Sequence, residues 1–448
     1  MRIVIIGVSR IAEYLINYFE HSKHDIVVID KDKEVIDYVT DKYSVTGICG
    51  SGASSDVLES AGVNCANYVI SLTPIDEINL FASSMAKRLG AKYVISIIEG
   101  NEFGKNIERL KEQFEIDEVI IPNSIIAHKI VSQIRYNVAK KVTFLFDKKL
   151  ILSELIVSKD SFFNMKKLKD IKPLLDINFL ITGVVRNDKL IIPDGEFLIK
   201  EGDYVGILTS KELMNDLFSK LNLVHNPINS LLIIGGGLLS EEILKQMDDK
   251  RIKISIVDKD NERCQYLINK YNNINVINAD AMDIEVYENM NISSRSAFVC
   301  TTDNDETNLL SAIIGRSYNV AENISVVKTK SYENILKRTM LCLTLSTSAL
   351  ISQTILEKIF SRKGDGTSYY AFGDEMLKTF IFEITKDFKY LGIPLKDQKI
   401  KKGIIIGAIL KNNKVVIPNG TDVLLEGDKI FTLSQTQESI KSIMDIYR

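Results

Sequence analysis

The sequence predicts an α/β protein in which two doubly wound parallel-sheet domains alternate with two small α+β domains. Three observations lead to this fold class. A long segment recurs at a constant spacing, strand-like and helix-like stretches alternate within each copy, and a shorter signature follows each copy. Strands that alternate with helices form parallel sheets that are covered by helices on both faces.

The repeat is the strongest observation, because self-similarity on this scale indicates an internal duplication. A shift of 228 residues places Ile6 and Gly7 on Ile234 and Gly235. The same shift places residues 28–32 on residues 256–260. One inserted residue later, residues 73–80 fall on residues 302–309. The order along the chain is therefore large unit, small unit, large unit, small unit.

Each large unit contains short, apolar runs rich in β-branched residues, which predict strands. In the first copy these are residues 3–6, 25–29, 43–49, 68–72 and 93–98, with helical patterns at 11–20 and 78–89. The second copy repeats this arrangement from Leu231 to about Lys330. Both copies therefore predict a parallel sheet with helices on its two faces.

The small units share a signature of turn residues. Residues 192–195 and 201–203, Ile-Pro-Asp-Gly and Glu-Gly-Asp, recur at 417–420 and 426–428. Strand patterns at 150–157, 180–185 and 204–208 predict a small α+β sheet. We expect four domains, with boundaries at residues 1–135, 140–222, 230–345 and 370–448.

Composition and charge exclude several classes of function. The 448 residues carry a net charge of −3, so no basic footprint for nucleic acid is present. No apolar run reaches the ~20 residues that span a bilayer, and the first apolar run is too short for a signal peptide, so we expect a cytoplasmic protein. The five widely spaced cysteines predict reduced thiols. His21 and His24 are read as a helix end, and no metal site is expected.

The turn after the first strand of each large unit predicts a phosphate-binding loop. In this Rossmann-like arrangement glycines let the backbone approach a pyrophosphate at a helix N-terminus, and a carboxylate after the second strand binds ribose. The second copy has Gly235, Gly236 and Gly237, followed by Asp258. The first copy keeps only Gly7 and an acid at the same spacing, Asp30. Nucleotide binding is therefore predicted more strongly for the second copy.

Further polar residues follow the third and fourth strands at the edge where ligands of such sheets bind. They are residues 50–52 and 278–280 after the third strand, and Thr73 and residues 301–302 after the fourth. The acidic pairs at 76–77 and 305–306 are read as first-turn helix residues that favour the helix dipole.

With these residues in view, the chain resembles the regulatory subunit of Trk-type potassium uptake systems, the TrkA family, over nearly all of its length. That family has two potassium-conductance-regulating (RCK) N-domains alternating with two C-domains. The resemblance implies NAD(H) or ATP/ADP as ligand. It implies a first site of Gly7, Val8, Ser9, Arg10, Ile11, Asp30, Thr73 and Pro74, and a second of Gly235, Gly236, Gly237, Leu238, Leu239, Asp258, Asp280 and Thr302.

The resemblance also implies partners. The family assembles as a homo-oligomeric ring, expected here to be a tetramer, beneath a multi-spanning potassium channel or transporter subunit. A protein of this kind is peripheral on the inner face of the cell membrane. The expected function is nucleotide-sensing regulation of potassium uptake, and a regulator of potassium efflux is the nearest alternative, since nothing in one sequence separates the two.

An NAD-dependent dehydrogenase is the alternative from another class. Hydride transfer requires an acid or base that faces the nicotinamide. Neither small unit supplies a histidine, a Cys–His pair or a Ser/Tyr/Lys arrangement at a recognisable spacing, and the four histidines are scattered. The sequence therefore predicts a sensor and no enzyme.

Overall fold

A computed structural model shows the chain as two compact units. The first comprises Met1–Val131 and Ile228–Leu356, and the second comprises Ser132–Pro227 and Glu357–Arg448. The structure describes residues 1–20, 24–100, 107–135, 141–145, 149–186, 189–221, 228–249, 251–288, 290, 292–293, 296–329, 332, 336, 342–361, 367–372, 375–411, 414–434, 440 and 442–447.

The first half of the first unit contains a six-stranded sheet in the order β3-β2-β1-β4-β5-β6, in which every neighbouring pair is parallel. Its strands are β1 (Arg2–Ile6), β2 (Asp25–Asp30), β3 (Thr46–Cys49), β4 (Tyr68–Ser71), β5 (Val94–Ile97) and β6 (Glu118–Ile120). Its helices are α1 (Arg10–Glu20), α2 (Lys33–Lys42), α3 (Ser55–Ser60), α4 (Asp76–Arg88), α5 (Ile107–Phe114) and α6 (Pro122–Arg135).

The second half of this unit repeats the sheet as β14-β13-β12-β15-β16-β17, again with parallel neighbours. Its strands are β12 (Ser230–Ile234), β13 (Lys253–Asp258), β14 (Ile274–Asn278), β15 (Ser296–Cys300), β16 (Glu322–Val327) and β17 (Leu343–Ser346). Its helices include α9 (Leu238–Gln246), α10 (Asn261–Lys270), α11 (Ile284–Glu288), α12 (Asp305–Ser317) and α13 (Thr347–Ser361). The identical strand order confirms the predicted duplication and fold class.

The sheets form because their central strands are apolar on both faces. Residues Ile3 to Ile6 of β1 and residues Leu231 to Ile234 of β12 are buried throughout. A strand that is apolar at every position has no face for water and is stable only between two helical layers. The strand order reverses direction beside β1 and β12, which places the loops after them at the crevice where such folds bind ligands.

The two halves of the first unit also exchange helix contacts. Gln246 at the end of α9 donates to the Ser124 carbonyl of α6 over 3.1 Å. Ser352 of α13 donates to the Ile11 carbonyl of α1 over 3.2 Å. The last helix of each half thus contacts the first helix of the other half.

The second unit contains two antiparallel five-stranded sheets of equivalent order, β10-β9-β11-β8-β7 and β21-β20-β22-β19-β18. The first has β7 (Lys141–Leu145), β8 (Leu150–Ile156), α7 (Leu168–Leu175), β9 (Phe179–Arg186), β10 (Lys189–Ile191), β11 (Tyr204–Ser210) and α8 (Met214–Lys220). The second has β18 (Thr367–Phe372), β19 (Glu375–Glu383), β20 (Ile404–Lys411), β21 (Lys414–Val416) and β22 (Lys429–Ser434). These are the predicted small domains.

Among the residues that the structure describes, no helix is both long enough and apolar enough to cross a membrane.

Candidate functional site

The first loop, Gly7 to Ile11, begins with a glycine that the backbone requires. Gly7 has a φ of +92°, and a Cβ at this position would lie 2.8 Å from the backbone nitrogen of Thr73. Its N–H donates to the Ile29 carbonyl over 2.8 Å. Only glycine adopts this conformation without strain at so close an approach.

The second loop, Gly235 to Leu239, begins in the same way. Gly235 has a φ of +98°, and a Cβ there would lie 3.0 Å from the backbone of Thr302. Its N–H donates to the Val257 carbonyl over 2.8 Å. The glycine that both copies retain is therefore a requirement of the turn itself.

The next two positions separate the loops. A Cβ on Gly236 would meet Leu267 at 2.8 Å, whereas Gly237 has no atom within 4 Å of where its Cβ would stand. Gly237 is the N-cap residue that precedes α9, and it supplies no side-chain cap. The N–H groups of a first helical turn lack partners within the helix, so this open position can accept an anion.

In the first loop Val8 and Ser9 occupy these two positions. The Ser9 hydroxyl accepts from the Ala12 N–H over 3.3 Å. The start of α1 thus carries a side chain that takes up one of its free donors. The chemistry predicted for this loop, close approach of phosphate to bare backbone, is met better by the second loop.

The two acids close the loops. Asp258 accepts from the Gly236 N–H over 2.5 Å and from the Asp260 N–H over 2.8 Å. Asp30 accepts from the Val8 N–H over 2.8 Å and, through its other oxygen, from the Asp32 N–H. The structure therefore brings each acid to its loop, as the spacing predicted.

The other predicted positions lie along the same sheet edge but differ in exposure. Arg10, Pro74 and Leu238 are exposed, whereas Leu239 is buried in the core and presents no side chain to a ligand. Asp280 lies beyond β14, the outermost strand, and its carboxylate accepts from the Met282 N–H over 2.8 Å within its own turn. Asp280 is thus engaged in its turn rather than in the loop.

Thr73 and Thr302 are held by asparagines that the sequence reasoning did not assign a role. Asn308 accepts from the Thr302 N–H over 3.0 Å and from its hydroxyl over 2.7 Å, and it donates to the Val326 carbonyl over 2.9 Å. Asn79 makes the same bonds to Thr73 and Ile97. An asparagine six residues after each threonine, repeated in both copies, was the available signal.

The first-turn acids bind backbone as well as favouring the helix dipole. Asp76 accepts from the N–H groups of Glu99 and Gly100, at 2.9 and 2.7 Å. Asp305 does the same for Lys328 and Thr329, at 2.9 and 2.8 Å. These carboxylates fix the segments that leave β5 and β16, so they serve the architecture of the site.

A cavity of about 400 Å³ lies beside the first loop, between the two halves of the first unit. Its lining includes Arg10, Glu13 and Lys42 from the first half and Lys328 from the second. Lys328 is paired with Asp303 at 2.8 Å. The first loop therefore opens onto a cavity to which both copies contribute charged side chains.

A buried carboxylate lies directly beneath the second loop. The Glu241 side chain is 2% exposed and is paired with Arg263 and Lys270, each at 2.5 Å. Burial alone raises the pKa of Glu241, but the hydrogen bonds from Lys270 and Arg263 outweigh it, so this pKa lies below its ordinary value. Glu241 is therefore ionised at neutral pH.

Neither a metal centre nor a disulfide contributes to the site within the part of the chain that the structure describes. No group of three or more potential metal ligands occurs there, and all five cysteines are free thiols. His21, half of the His-x-x-His pair, lies outside the described residues.

The fold and the loops define a protein with tandem nucleotide-binding domains of the doubly wound type. The chain belongs to the TrkA family: the TrkA-N domain matches residues 3–122 and 231–345, and the TrkA-C domain matches residues 152–222 and 380–441.

Curated relatives match along the whole chain. The Trk system potassium uptake protein TrkA of Haemophilus influenzae is 22% identical, covering 100% of this chain and 99% of the relative. The TrkA homologue of Archaeoglobus fulgidus is 25% identical, with full coverage of both chains.

Solved structures show the same fold. The GsuK channel bound to NAD superposes with a TM-score of 0.65 at 18% identity, covering 97% of this chain and 77% of that one. The GsuK RCK domain gives a TM-score of 0.63 at 18% identity, covering 97% and 92%.

Proposed function

We propose that this chain is the nucleotide-sensing regulatory subunit of a potassium uptake transporter. The observation that carries the proposal is the open N-terminus of α9 at Gly237, with Asp258 closing the same loop, in a chain that belongs to the TrkA family. The curated relatives, which match this chain over their whole length, are potassium uptake proteins, and this supports a regulatory role rather than catalysis.

The ligand is an adenine nucleotide, NAD(H) or ATP/ADP. The second site consists of Gly235, Gly236, Gly237, Leu238 and Asp258, with Thr302 at its rim. The first site uses the first loop and Asp30, and it binds more weakly because Ser9 replaces the open glycine. GsuK structures with NAD and with ADP support both ligand classes for this fold.

The partner is a multi-spanning potassium channel subunit. By similarity to the Trk system proteins, we infer that it changes ion flow through contacts with this subunit, and we place it in the cytoplasm, peripheral to the inner face of the membrane. It acts there as a ring, proposed to be a tetramer, whose four domains per chain have the boundaries given above. A ligand shifts such an assembly by its differential affinity for two arrangements, typically 1–3 kcal/mol or roughly 5–150-fold.

Calorimetric titration with NADH, NAD, ATP and ADP tests ligand binding, and potassium flux through the reconstituted partner tests regulation. Gly237→Val is the informative variant, because its side chain enters open space and blocks only an approaching phosphate. Gly237→Ala, with one methyl group, is the graded control. We expect nucleotide to alter flux in the wild type and much less in Gly237→Val; an equal response in both proteins would overturn the assignment of the second loop.

Efflux regulation is distinguished by the direction of the same measurement. A nucleotide response confined to outward potassium flux, with no effect on uptake, would favour the efflux alternative.

A further inference from the structure

The second loop is held from below by a cluster of side chains around a buried carboxylate, the Glu241 cluster: Glu241, Arg263, Tyr266, Lys270 and Tyr271. Glu241 binds Arg263 through one carboxylate oxygen and Lys270 through the other. Tyr266 and Tyr271 donate to the second oxygen over 3.4 and 3.3 Å. Every polar atom of the buried carboxylate is therefore engaged, which is the condition for keeping a charge in a core.

Arg263 connects this cluster to the loop. While its Nη2 binds Glu241, its Nε donates to the Gly236 carbonyl over 2.5 Å. The guanidinium also lies 4.8 Å from the centre of the Tyr266 ring. A planar group held by a carboxylate and an aromatic ring has little freedom, so its Nε–H is aimed at the loop.

The Gly236 carbonyl matters because of the next atom along the chain. The Gly236 C=O and the Gly237 N–H belong to one planar trans peptide, so fixing the carbonyl fixes the direction of that N–H. The Gly236 N–H is fixed in turn by Asp258 over 2.5 Å. Both peptides flanking Gly236 are therefore oriented before any ligand arrives.

The first half has the same cluster without the connecting arginine. The Glu13 cluster consists of Glu13, Tyr38, Lys42 and Tyr43, at positions equivalent to Glu241, Tyr266, Lys270 and Tyr271. Lys42 binds Glu13 over 2.7 Å and Tyr38 over 2.6 Å. Val35 stands where the second half has Arg263, and a valine has no donor for the Val8 carbonyl.

We propose that Arg263, anchored by Glu241, is a positioning residue that orients the Gly237 N–H and thereby sets the affinity of the second loop for the phosphates of a nucleotide. This rests on the proposed nucleotide site at that loop. Orientation before binding raises affinity because the cost of ordering the loop has already been met in folding. The missing arginine makes Val35 a cause of weaker binding at the first loop, independent of Ser9.

The first test separates orientation from charge. Arg263→Lys keeps the positive charge but has no planar fork to bind Glu241 and the Gly236 carbonyl together, and Arg263→Met removes both properties. In an Asp30→Ala background, which weakens the first site, we expect Arg263→Lys to weaken ADP binding about tenfold and Arg263→Met somewhat more. Lys245→Met, which removes an exposed ion pair with Glu242 on the same helix, is the control expected to change nothing.

A merely structural role is excluded by the choice of ligand. Adenosine carries the base and ribose without phosphate, so its affinity should be the same in the wild type and in Arg263→Lys. An equal loss for adenosine and ADP, or an unchanged affinity for ADP, overturns the positioning role. If the wild type binds no nucleotide at all, the proposed function fails and not this inference alone.

The reciprocal variant, Val35→Arg, adds the arginine to the first half and tests for a gain in affinity. Val35 is half-buried, so an arginine placed there has room to extend toward the Val8 carbonyl and Glu13. In an Asp258→Ala background, Val35→Arg should tighten ADP binding at the first loop severalfold. If ADP affinity does not increase while thermal unfolding is unchanged, an arginine at this position does not orient the first loop as Arg263 orients the second.

Discussion

The two halves of the first compact unit have the same backbone fold and differ in how the loop after the first strand of each is supported. Both turns need a glycine at the same place, Gly7 and Gly235, with φ values of +92° and +98°. Beyond that glycine, the second loop is bare backbone held by Asp258 and Arg263, whereas the first carries Val8 and Ser9. The glycine retained in both copies is thus required by the geometry of the turn, whereas the positions that differ determine how the loop can bind a ligand.

The largest expected effect tests the shared part of this comparison. Gly7→Val and Gly235→Val each place a branched side chain against backbone atoms at a positive φ. We expect each substitution to lower the free energy of unfolding of the first unit by about 3 kcal/mol or more. Thermal unfolding measures this, and Gly237→Val should stay within about 1 kcal/mol of the wild type. A large loss in only one of the two turns would break the equivalence.

The next effect concerns the carboxylates beneath the loops. Glu241 is 2% exposed and Glu13 is 29% exposed, although both bind the equivalent lysine. We expect Glu241→Gln to cost about 2–3 kcal/mol, because it leaves Arg263 and Lys270 without their counter-charge. Glu13→Gln should cost less than about 1 kcal/mol, as is usual for solvent-screened pairs. Equal losses in chemical denaturation would contradict the burial difference.

Acid should reduce the difference in stability between the wild type and Glu241→Gln. The pKa of Glu241 is lowered in the folded state, so its contribution is complete above the unfolded value of 4.5 and is lost as the pH falls through the folded pKa. The charged groups that face it are Arg263 and Lys270, with the phenols of Tyr266 and Tyr271. The stability gap between wild type and Glu241→Gln should therefore be constant near neutrality and shrink below pH 4.5. A gap that widens in acid would reverse the sign.

A smaller effect ranks the two acids as ligands. Asp258→Ala should weaken binding of an adenine nucleotide about tenfold, by removing both a ribose partner and the contact to the Gly236 N–H. Asp30→Ala should change overall binding less, since the first loop is the weaker site. Calorimetry on the two variants decides the order, and a greater loss for Asp30→Ala would reverse the ranking of the halves.

The smallest effect uses cysteines as reporters. Cys49 is exposed and is paired in register with Asp30, whereas Cys264 is buried below Asp258 and burial raises its pKa. We expect maleimide to label Cys49 rapidly and Cys264 slowly, because the thiolate is the reactive form. Saturating nucleotide should slow labelling of Cys49 where the first site is occupied. Cys65, which is exposed and lies in the turn between α3 and β4, is the control.

Most of the fold could be predicted from the sequence, because the patterns that indicate its strands and helices are local and occur twice. The central strands were predicted within one to three residues, since the run 3–6 is apolar throughout and the run 68–72 is apolar except at Ser71. β6 and β10 were missed because each spans only 3 residues and has no pattern of its own length. Their strand geometry comes from pairing with a neighbour rather than from intrinsic preference.

The site was predicted unevenly for a similar reason. Glycines and an acid at a set spacing are visible in one dimension, so Gly235 and Asp258 were found. The support from Arg263 and Glu241 was not, because residues on α9 and α10 meet only when the two helices pack side by side. Comparing the copies position by position would have exposed it, since Val35 replaces Arg263 within an otherwise retained cluster.

The exchanged helix contacts impose an order on folding. The Ile11 carbonyl of the first loop meets its partner, Ser352, only across 341 residues of chain. Contacts between such distant residues form late in folding, because the long connection must be ordered before they are gained. On a ribosome, the first loop emerges long before α13, so its surroundings are complete only after α13 has been made. The half that is translated first therefore cannot be completed before the last helix of the second half is in place.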